Sequence, residues 1–198
     1  MKSFSTDVCV IGAGPGGCAV ALQLSKLGIG CFLIDKSTFP RDKICGDALC
    51  GKVVVTLNRI DENILREVTT DKNFLPSWGV KFIAPNLKEL KIPFKKNYDT
   101  NQIAPGFISK RIDFDNFLFN EVKKKNEVTI LEGTEISHFE KTNDEWILTD
   151  SKNSVSIKTK VVVAADGAHS RFAKEIGKIN MEHEHYCAGI RAYYKGVK

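Results

Sequence analysis

The sequence lacks the long apolar segment that a membrane-spanning helix requires. No run of about 18 apolar residues occurs along the chain. The N-terminal stretch MKSFSTDVCVIGAGPGG does not fit a secretory signal peptide, because its apolar part is short and is broken by glycine. The sequence therefore predicts neither a spanning helix nor a cleaved export signal.

The cysteines lack the spacing of a redox or metal motif. Six are present, and none stands in a CxxC arrangement. Without a secretion signal, this predicts reduced thiols in a cytoplasmic protein. Cys9, Cys18 and Cys31 lie in apolar surroundings and are expected to be small core residues.

The sequence also has little of the charge pattern that binds nucleic acid. Its net charge of +5 comes largely from scattered lysines, and no basic stripe is interleaved with aromatic residues. A nucleic-acid partner is therefore not expected. Apolar residues make up 42% and charged residues 27% of the 198 residues, which is typical of a globular protein with one large or two small domains.

The N-terminal third has the pattern of a strand, a helix and a second strand. DVCVIG (7–12) is a continuous apolar run that ends on glycine, which predicts a buried parallel strand. Residues 15–27 have apolar side chains at helical spacing, and residues 30–36 predict the second strand. This order is a βαβ unit, whose crossover is expected to be right-handed.

Beyond this unit, helical patterns alternate with short strands. Residues 47–68 predict a helical stretch, residues 79–94 an antiparallel hairpin, and residues 113–125 a helix with Asp113 as its N-cap. Four short strands are predicted, followed by a buried strand that runs into a glycine-containing turn, at residues 128–133, 135–141, 145–150, 154–160 and 160–170.

Gly12, Gly14 and Gly17 form a GxGxxG motif between the first strand and the helix. Gly12 permits the tight turn, Gly14 lets the backbone approach a diphosphate, and Gly17 lets the helix pack closely on the strand. Free N–H groups at the helix start, with an effective charge of about +0.5, would face the phosphates. The alternative is a glycine-rich turn that binds no ligand.

Asp35 stands 18 residues after Gly17, at the end of the second predicted strand. A carboxylate at this place accepts hydrogen bonds from ribose hydroxyls and repels a 2′-phosphate. The pattern therefore favours NAD or FAD over NADP. If the glycines bind no nucleotide, Asp35 is a solvated residue at a strand end.

Four segments together resemble the geranylgeranyl-reductase-like flavoproteins. This family lies in the superfamily of FAD-dependent aromatic hydroxylases and flavin halogenases. The segments that carry the resemblance are VIGAGPGG, IDKSTFPRDKICGDAL, SKRIDFDNFL and VVVAADGAHSRFA.

The resemblance implies an α/β fold with two domains. One is a Rossmann-like FAD-binding domain formed by residues 1–73 and 108–178. The other is part of a mostly antiparallel substrate domain, formed by residues 74–107 and 179–198. Family members continue well beyond the end of this sequence, where a second Gly-Asp motif and most of the substrate pocket lie. The sequence is therefore expected to be a fragment of an FAD-dependent oxidoreductase, whose activity the 198-residue chain alone need not retain.

The resemblance also implies which residues contact FAD. Arg41 would lie near the phosphates, and Arg111 would open a helix beside the cofactor. Cys45, Gly46 and Asp47 would lie near the ribityl chain and the flavin. The expected contacts are completed by backbone groups near adenine, by a ribityl-binding aspartate and by residues of the glycine turn and the second strand end: Thr134, Asp166, Pro15, Gly16 and Lys36.

For the complete protein, the resemblance implies reduction of a carbon–carbon double bond in an isoprenoid or similar apolar substrate. NAD(P)H or another donor would supply electrons, and an isoprenoid substrate would bring contact with a membrane surface. A monooxygenase or halogenase, in which reduced flavin reacts with oxygen, is the alternative among enzymes. No catalytic residue is assigned, and Cys45 is the nearest candidate for a proton donor.

Two further classes remain open on the residues alone. The chain could be a nucleotide-binding module without activity, or an NAD-dependent dehydrogenase, although a simple NAD site does not need the FPRDKICGDAL segment. A metal site at His183 and His185 is not expected, because no third ligand is evident.

Overall fold

The computed structural model describes residues 1–97, 99, 101–179, 182–185 and 187–196. The chain divides into two compact units. The first consists of Met1–Ile44 with Phe114–Lys198, and the second of Cys45–Asp113. These units are defined by compactness, so the predicted division into an FAD-binding and a substrate domain stays a prediction.

The first unit is built around a six-stranded sheet with helices beside it. Its strands are β1 (Lys2–Ile11), β2 (Cys31–Ile34), β8 (Val128–Leu131), β9 (Ile136–Lys141), β10 (Trp146–Asp150) and β11 (Val155–Ala164). They lie in the order β8–β2–β1–β11–β10–β9. The first four of these strands are parallel neighbours, while β10 and β9 continue the sheet antiparallel.

The predicted βαβ unit is confirmed. Helix α1 (Pro15–Lys26) connects β1 to β2, and these two strands are parallel and adjacent. The helix begins at a proline, whose missing N–H costs nothing at this position. Its buried face includes Ala21 and Leu22, and the sheet core includes Cys9 and Ile34. Apolar burial thus fixes the helix on the sheet and the turn between β1 and α1.

The structure of residues 154–170 differs from the prediction in two respects. Residues 154–160 and 160–170 were predicted as separate strands, but β11 is one continuous ten-residue strand. Its C-terminal half is also less buried than predicted, with Val161 50% exposed. An apolar run predicts a buried strand only if another element packs over its face. At Val161, the described residues leave half of the residue exposed.

The second unit contains two small sheets and two helices. Its elements are β3 (Ala48–Leu49), α2 (Gly51–Ile60), α3 (Glu62–Thr70), β4 (Leu75–Ser77), β5 (Gly79–Ile83), β6 (Glu89–Pro93) and β7 (Gly106–Ile108). Strands β3, β7 and β4 form an antiparallel sheet, and β5 pairs with β6. The predicted hairpin is confirmed. The predicted helical stretch is confirmed from residue 51 onwards, as two helices that break at Asp61, whose carboxylate caps α3 by accepting from the Asn63 N–H. At residues 48–49 it is wrong, because these form β3.

Helix α4 (Arg111–Lys123) begins before the predicted residue. Asp113 is not its N-cap, because the Asp113 N–H donates to the Lys110 carbonyl oxygen and so lies inside the first turn. The Arg111 N–H at the helix start donates instead to Asp47 Oδ1, at 3.3 Å. The boundary between the two units falls inside this helix, between Asp113 and Phe114.

After β11, the chain forms α5 (Arg171–Glu175) and a 3-10 helix (His183–His185). Residues 179–198 were expected to belong to a mostly antiparallel substrate domain, but residues 187–196 form no strand. A strand needs a neighbour to satisfy its backbone groups, and none of the described strands pairs with this segment. Among the described residues, no helix has the length and apolar character to cross a membrane.

Candidate cofactor-binding site

Four parallel strands of the first unit end at the same edge of the sheet. The register places Ile11, at the end of β1, beside Ile34 of β2 and Ala164 of β11. Ile34 in turn lies beside Leu131 of β8. The turns that follow these strands contain Gly12, Asp35, Asp166 and Thr134, respectively, so strand register alone brings four predicted site residues to one edge.

The turn after β1 requires glycine at two positions. Gly12 has a φ of +98°, and a Cβ atom there would lie 2.4 Å from the Ala165 carbonyl oxygen. At Gly17, a Cβ atom would lie 1.7 Å from the Gly12 carbonyl oxygen. Both contacts are with backbone, which has little room to move. The backbone is therefore packed too tightly for a side chain at Gly12 and at Gly17.

The start of α1 offers backbone donors to a ligand. Its N-cap is Gly14, so no side chain caps the helix, and its first turn contains no acidic residue. Pro15 has no N–H, which leaves Gly16 and Gly17 as residues whose N–H groups precede the first intrahelical bond. Gly16 is exposed, and a Cβ atom there would meet nothing within 4 Å. An anion is the natural ligand of such a helix start.

Asp35 lies directly beneath this turn. Its Oδ2 accepts a hydrogen bond from the Ala13 N–H at 2.7 Å, and its Oδ1 accepts one from the Ser37 N–H at 2.8 Å. The residue is 9% exposed. Because a carboxylate has about four acceptor positions, two remain for ribose hydroxyls. Asp35 thus supports the glycine turn from within, a role that sequence reasoning did not identify.

Arg41 lies next to the glycine turn. Its Nη2 is 3.4 Å from the position of a Cβ atom on Gly14, and its Nη1 donates to Asp115 Oδ2 at 3.0 Å. The guanidinium also lies over the Phe39 ring, 5.0 Å from its centroid. A cation is thus held beside a helix N-terminus, where it is unfavourable unless anions offset it.

Asp166 carries the clearest sign of a missing partner. Its Oδ2 accepts a hydrogen bond from the Arg171 N–H at 3.0 Å. Its Oδ1 is buried and has no hydrogen-bond partner among the described residues. The Asp166 Cα lies 2.9 Å from the position of a Cβ atom on Gly12, so the carboxylate belongs to the same turn region. A buried carboxylate oxygen without a donor is costly, and ligand hydroxyls would supply one.

The remaining predicted residues of the first unit are less constrained. The Thr134 N–H already donates to the Asp35 carbonyl oxygen at 2.9 Å, so a backbone contact with adenine would have to use the Thr134 carbonyl. Lys36 is exposed. The contacts of Thr134 and Lys36 with a cofactor stay predictions.

Four predicted site residues belong to the second unit. Cys45 and Gly46 are exposed, so Cys45 is not a buried core thiol. Asp47 and Arg111 are partly buried and are joined through the Asp47 carboxylate and the Arg111 N–H. A cation at a helix N-terminus is unfavourable unless an anion offsets it, and at the start of α4 that anion is the Asp47 carboxylate. Their contacts with FAD stay predictions.

Asp115 is the main site residue that sequence reasoning missed. It is completely buried in α4 and is paired with Arg41. The signal was a carboxylate within DFDNFLF, on the side of the helix that also carries apolar residues. Cys18 lies near the same charges, and burial, followed by the charges of Asp115 and Asp35, raises its pKa to about 12. The thiol is therefore a core residue, as predicted.

A different group of side chains lies in the C-terminal segment. Ligand atoms of Glu182, Glu184 and His185 lie within 4.8 Å of one another, and all three residues are exposed. Possible third ligands therefore exist, contrary to the sequence interpretation, although the side chain of His183 lies outside the described residues. Exposed acidic groups commonly cluster without a metal, so this group defines no site.

The comparison with protein families identifies the ligand class. Residues 5–191 match the family described as FAD binding domain, and the chain belongs to this family. FAD is the cofactor that this membership assigns. The predictions of a flavoprotein and of a Rossmann-like α/β fold are thereby confirmed.

Curated relatives extend the likeness along the chain. Conditioned medium factor receptor 1 of Dictyostelium discoideum is 29% identical over 96% of this chain and 38% of its own length. Digeranylgeranylglycerophospholipid reductase of Methanococcus vannielii is 26% identical over 98% of this chain and 46% of its own length. The chain thus spans less than half the length of these relatives.

A solved structure shows the same fold. The geranylgeranyl bacteriochlorophyll reductase-like protein of Thermoplasma acidophilum superposes with a TM-score of 0.67 at 24% identity, over 89% of this chain and 42% of that protein. The likeness establishes the arrangement of strands and helices described above.

The residues of the first unit fit FAD. The glycine turn and the uncapped start of α1 suit a diphosphate, and Arg41 adds a cation beside them. Asp35 has acceptor positions left for a ribose, and the unpartnered Oδ1 of Asp166 suits a hydroxyl donor. FAD contains all of these groups.

Proposed function

We propose that the protein is an FAD-dependent oxidoreductase that reduces a carbon–carbon double bond of an isoprenoid or similar apolar substrate. The observation that carries the cofactor part is the unpartnered Asp166 Oδ1 beside the glycine turn. The substrate part is supported by the relative named a digeranylgeranylglycerophospholipid reductase, which aligns with 98% of this chain. NAD(P)H or another donor would supply electrons, and an isoprenoid substrate would bring contact with a membrane surface.

The proposed roles of the chain's own residues follow from the strand ends. The Gly16 and Gly17 N–H groups and the Arg41 guanidinium bind the diphosphate. Asp35 accepts hydrogen bonds from the adenosine ribose, and Asp166 accepts one from a hydroxyl of the ribityl chain. When bound, FAD supplies a flavin ring that accepts and donates a hydride.

Cys45 remains the proposed candidate for a proton donor. It is exposed, so a thiol at this position is accessible to solvent and ligands. Cys45→Ser tests this role: a slower proton-dependent step with unchanged FAD content supports it. An unchanged rate excludes it.

The proposal is tested with purified protein in two steps. Small molecules released on denaturation are identified first, and FAD is expected. The FAD-loaded protein is then reduced without oxygen and mixed with a lipid that contains geranylgeranyl chains. Mass spectrometry is expected to show that the lipid gains pairs of hydrogen atoms. Unchanged lipid, together with incorporation of oxygen into an aromatic substrate in air, would favour the monooxygenase alternative.

A binding role without turnover is the second candidate. One relative carries the name of a receptor, and the chain spans only 38% and 46% of the two relatives described. FAD or another nucleotide bound at the glycine turn, with no substrate consumed under either condition, would favour this role.

A further inference from the structure

We propose that Asp115 is a positioning residue that fixes the Arg41 guanidinium against the FAD diphosphate. This inference rests on the proposed placement of the diphosphate at the glycine turn. It concerns cofactor binding and does not depend on which substrate the protein reduces.

The first step is the environment of Asp115. Its side chain is 0% exposed, and its Oδ2 accepts a hydrogen bond from Arg41 Nη1 at 3.0 Å. A buried carboxylate is costly unless it is paired and hydrogen-bonded. Helix α4 therefore places a negative charge where a cation must accompany it, and Arg41 is a cation that does so.

The second step is the orientation of Arg41. A guanidinium has five N–H donors in a rigid, planar fork. Nη1 is bonded to Asp115, whereas Nη2 and Nε have no hydrogen-bond partner in the part of the chain that the structure describes. Nη2 lies 3.4 Å from the position of a Cβ atom on Gly14. Donors are thus available on the side of the guanidinium that faces the start of α1.

The third step is the support of the segment that carries Arg41. The Phe39 ring lies beneath the guanidinium and stacks on Phe119, with centroids 4.1 Å apart. The Phe39 N–H donates to Glu132 Oε1 at 2.7 Å. Phe119 follows Asp115 by one helical turn, so one side of α4 supplies both the carboxylate and the ring support.

These contacts explain why a cation can remain at a helix N-terminus. The helix dipole repels Arg41, and Asp115 offsets this repulsion before a ligand arrives. Without the Asp115 charge, the guanidinium is expected to turn towards solvent, because its side chain is already 17% exposed. Diphosphate binding would then weaken through Arg41.

A double-mutant cycle of FAD affinity tests this coupling. FAD is titrated into the 198-residue chain, and binding is followed by flavin fluorescence. We expect Asp115→Asn to raise the Kd by about tenfold, since charge-assisted hydrogen bonds are the stronger ones. We expect the double variant with Arg41→Gln to bind no more weakly than Arg41→Gln alone. Asp113→Asn, a matched change in the same helix, is expected to alter the Kd by less than about twofold.

Three results would overturn the proposal. The first is an Asp115→Asn variant with unchanged FAD affinity. The second is an equal loss of affinity from Asp115→Asn in the Arg41→Gln background, which indicates a purely structural role. The third is an unsubstituted chain that does not bind FAD. A folded protein that binds FAD as expected but reduces no double bond would contradict only the proposed function.

A second measurement applies if Asp115→Asn does not fold. The side-chain N–H signal of Arg41 is observed by NMR in the unsubstituted chain and is assigned with Arg41→Lys. ADP, which contains the diphosphate without the flavin, is expected to shift this signal, while adenosine is expected to leave it unchanged. An Arg41 signal that does not respond to saturating ADP overturns the proposal.

Discussion

At the scale of single residues, two neighbouring glycines at the start of α1 differ in the space available for a side chain. A Cβ atom at Gly17 would lie 1.7 Å from a backbone oxygen, whereas one at Gly16 would meet nothing. We therefore expect Gly17→Ala to lower the free energy of unfolding by at least about 1–3 kcal/mol, because the backbone of the turn must move. Urea denaturation of the chain measures this change.

Gly16→Ala is the matched control for this prediction. The same methyl group is added one residue earlier in the same helical turn, so the free energy of unfolding is expected to rise by no more than about 1 kcal/mol. Equal stability of the two variants would show that the Gly12–Gly17 contact is not as close as described.

The cysteines provide a second prediction at the residue scale. Burial raises the pKa of Cys9 to about 12 and that of Cys31 to about 11. Cys50 is exposed at the start of α2, where the N–H groups of Val53 and Lys52 lower its pKa below the ordinary value of 9.0. Because the thiolate is the reactive form, Cys50 is expected to react at lower pH than an unperturbed thiol.

Alkylation with iodoacetamide as a function of pH measures this difference. Peptide mapping is expected to locate modification at the exposed cysteines and not at the buried ones of the folded protein. The midpoint for Cys50 is expected below pH 9.0, and Cys50→Ser should remove that reaction. A midpoint above this value would contradict the described contacts of the thiol.

At the scale of elements, helix starts show what the sequence could not predict. Asp61 follows α2 directly and caps α3 by a local bond, the kind of signal that a sequence carries. The carboxylate at the start of α4 belongs to Asp47, which lies 64 residues before Arg111, so local sequence pointed to Asp113 instead. The ion pair between Arg41 and Asp115 joins residues 74 positions apart, so local sequence could not predict it either.

The capping bond of α3 gives a prediction at the same scale. The Asn63 N–H donates to Asp61 Oδ1 at 2.9 Å. Asp61→Ala is expected to lower the free energy of unfolding by about 1 kcal/mol, the usual cost of losing an N-cap. Asp144→Ala, in the exposed turn between β9 and β10, is the control and is expected to change it by less than about 0.5 kcal/mol. Equal effects of the two substitutions in chemical denaturation would show that the Asp61 cap does not stabilise α3.

At the scale of the whole molecule, the sequence predicted the strand edge better than the elements beyond it. The ends of β1, β2 and β11 each follow an apolar run, and parallel strands place such ends together. The packing of other elements over the face of a strand has no comparable sequence signal. The apolar run at the end of β11 predicts a buried strand, yet Val161 is half exposed. The sequence of a strand does not specify which elements pack over its faces.

FAD binding is the prediction that engages the whole strand edge. A ligand that binds only the folded chain raises the free energy of unfolding, by about 2.7 kcal/mol at a concentration of 100 Kd. FAD is expected to do so because the glycine turn, Asp35 and Asp166 each offer a group that matches a different part of it. Riboflavin, which lacks the diphosphate and the adenosine, is the control and is expected to stabilise less at equal concentration. Denaturation curves with each ligand measure the difference. NAD also contains a diphosphate and an adenosine. Equal stabilisation by NAD and by FAD would therefore show that the strand edge recognises only the half that the two ligands share. Asp166 would then contribute nothing to flavin binding.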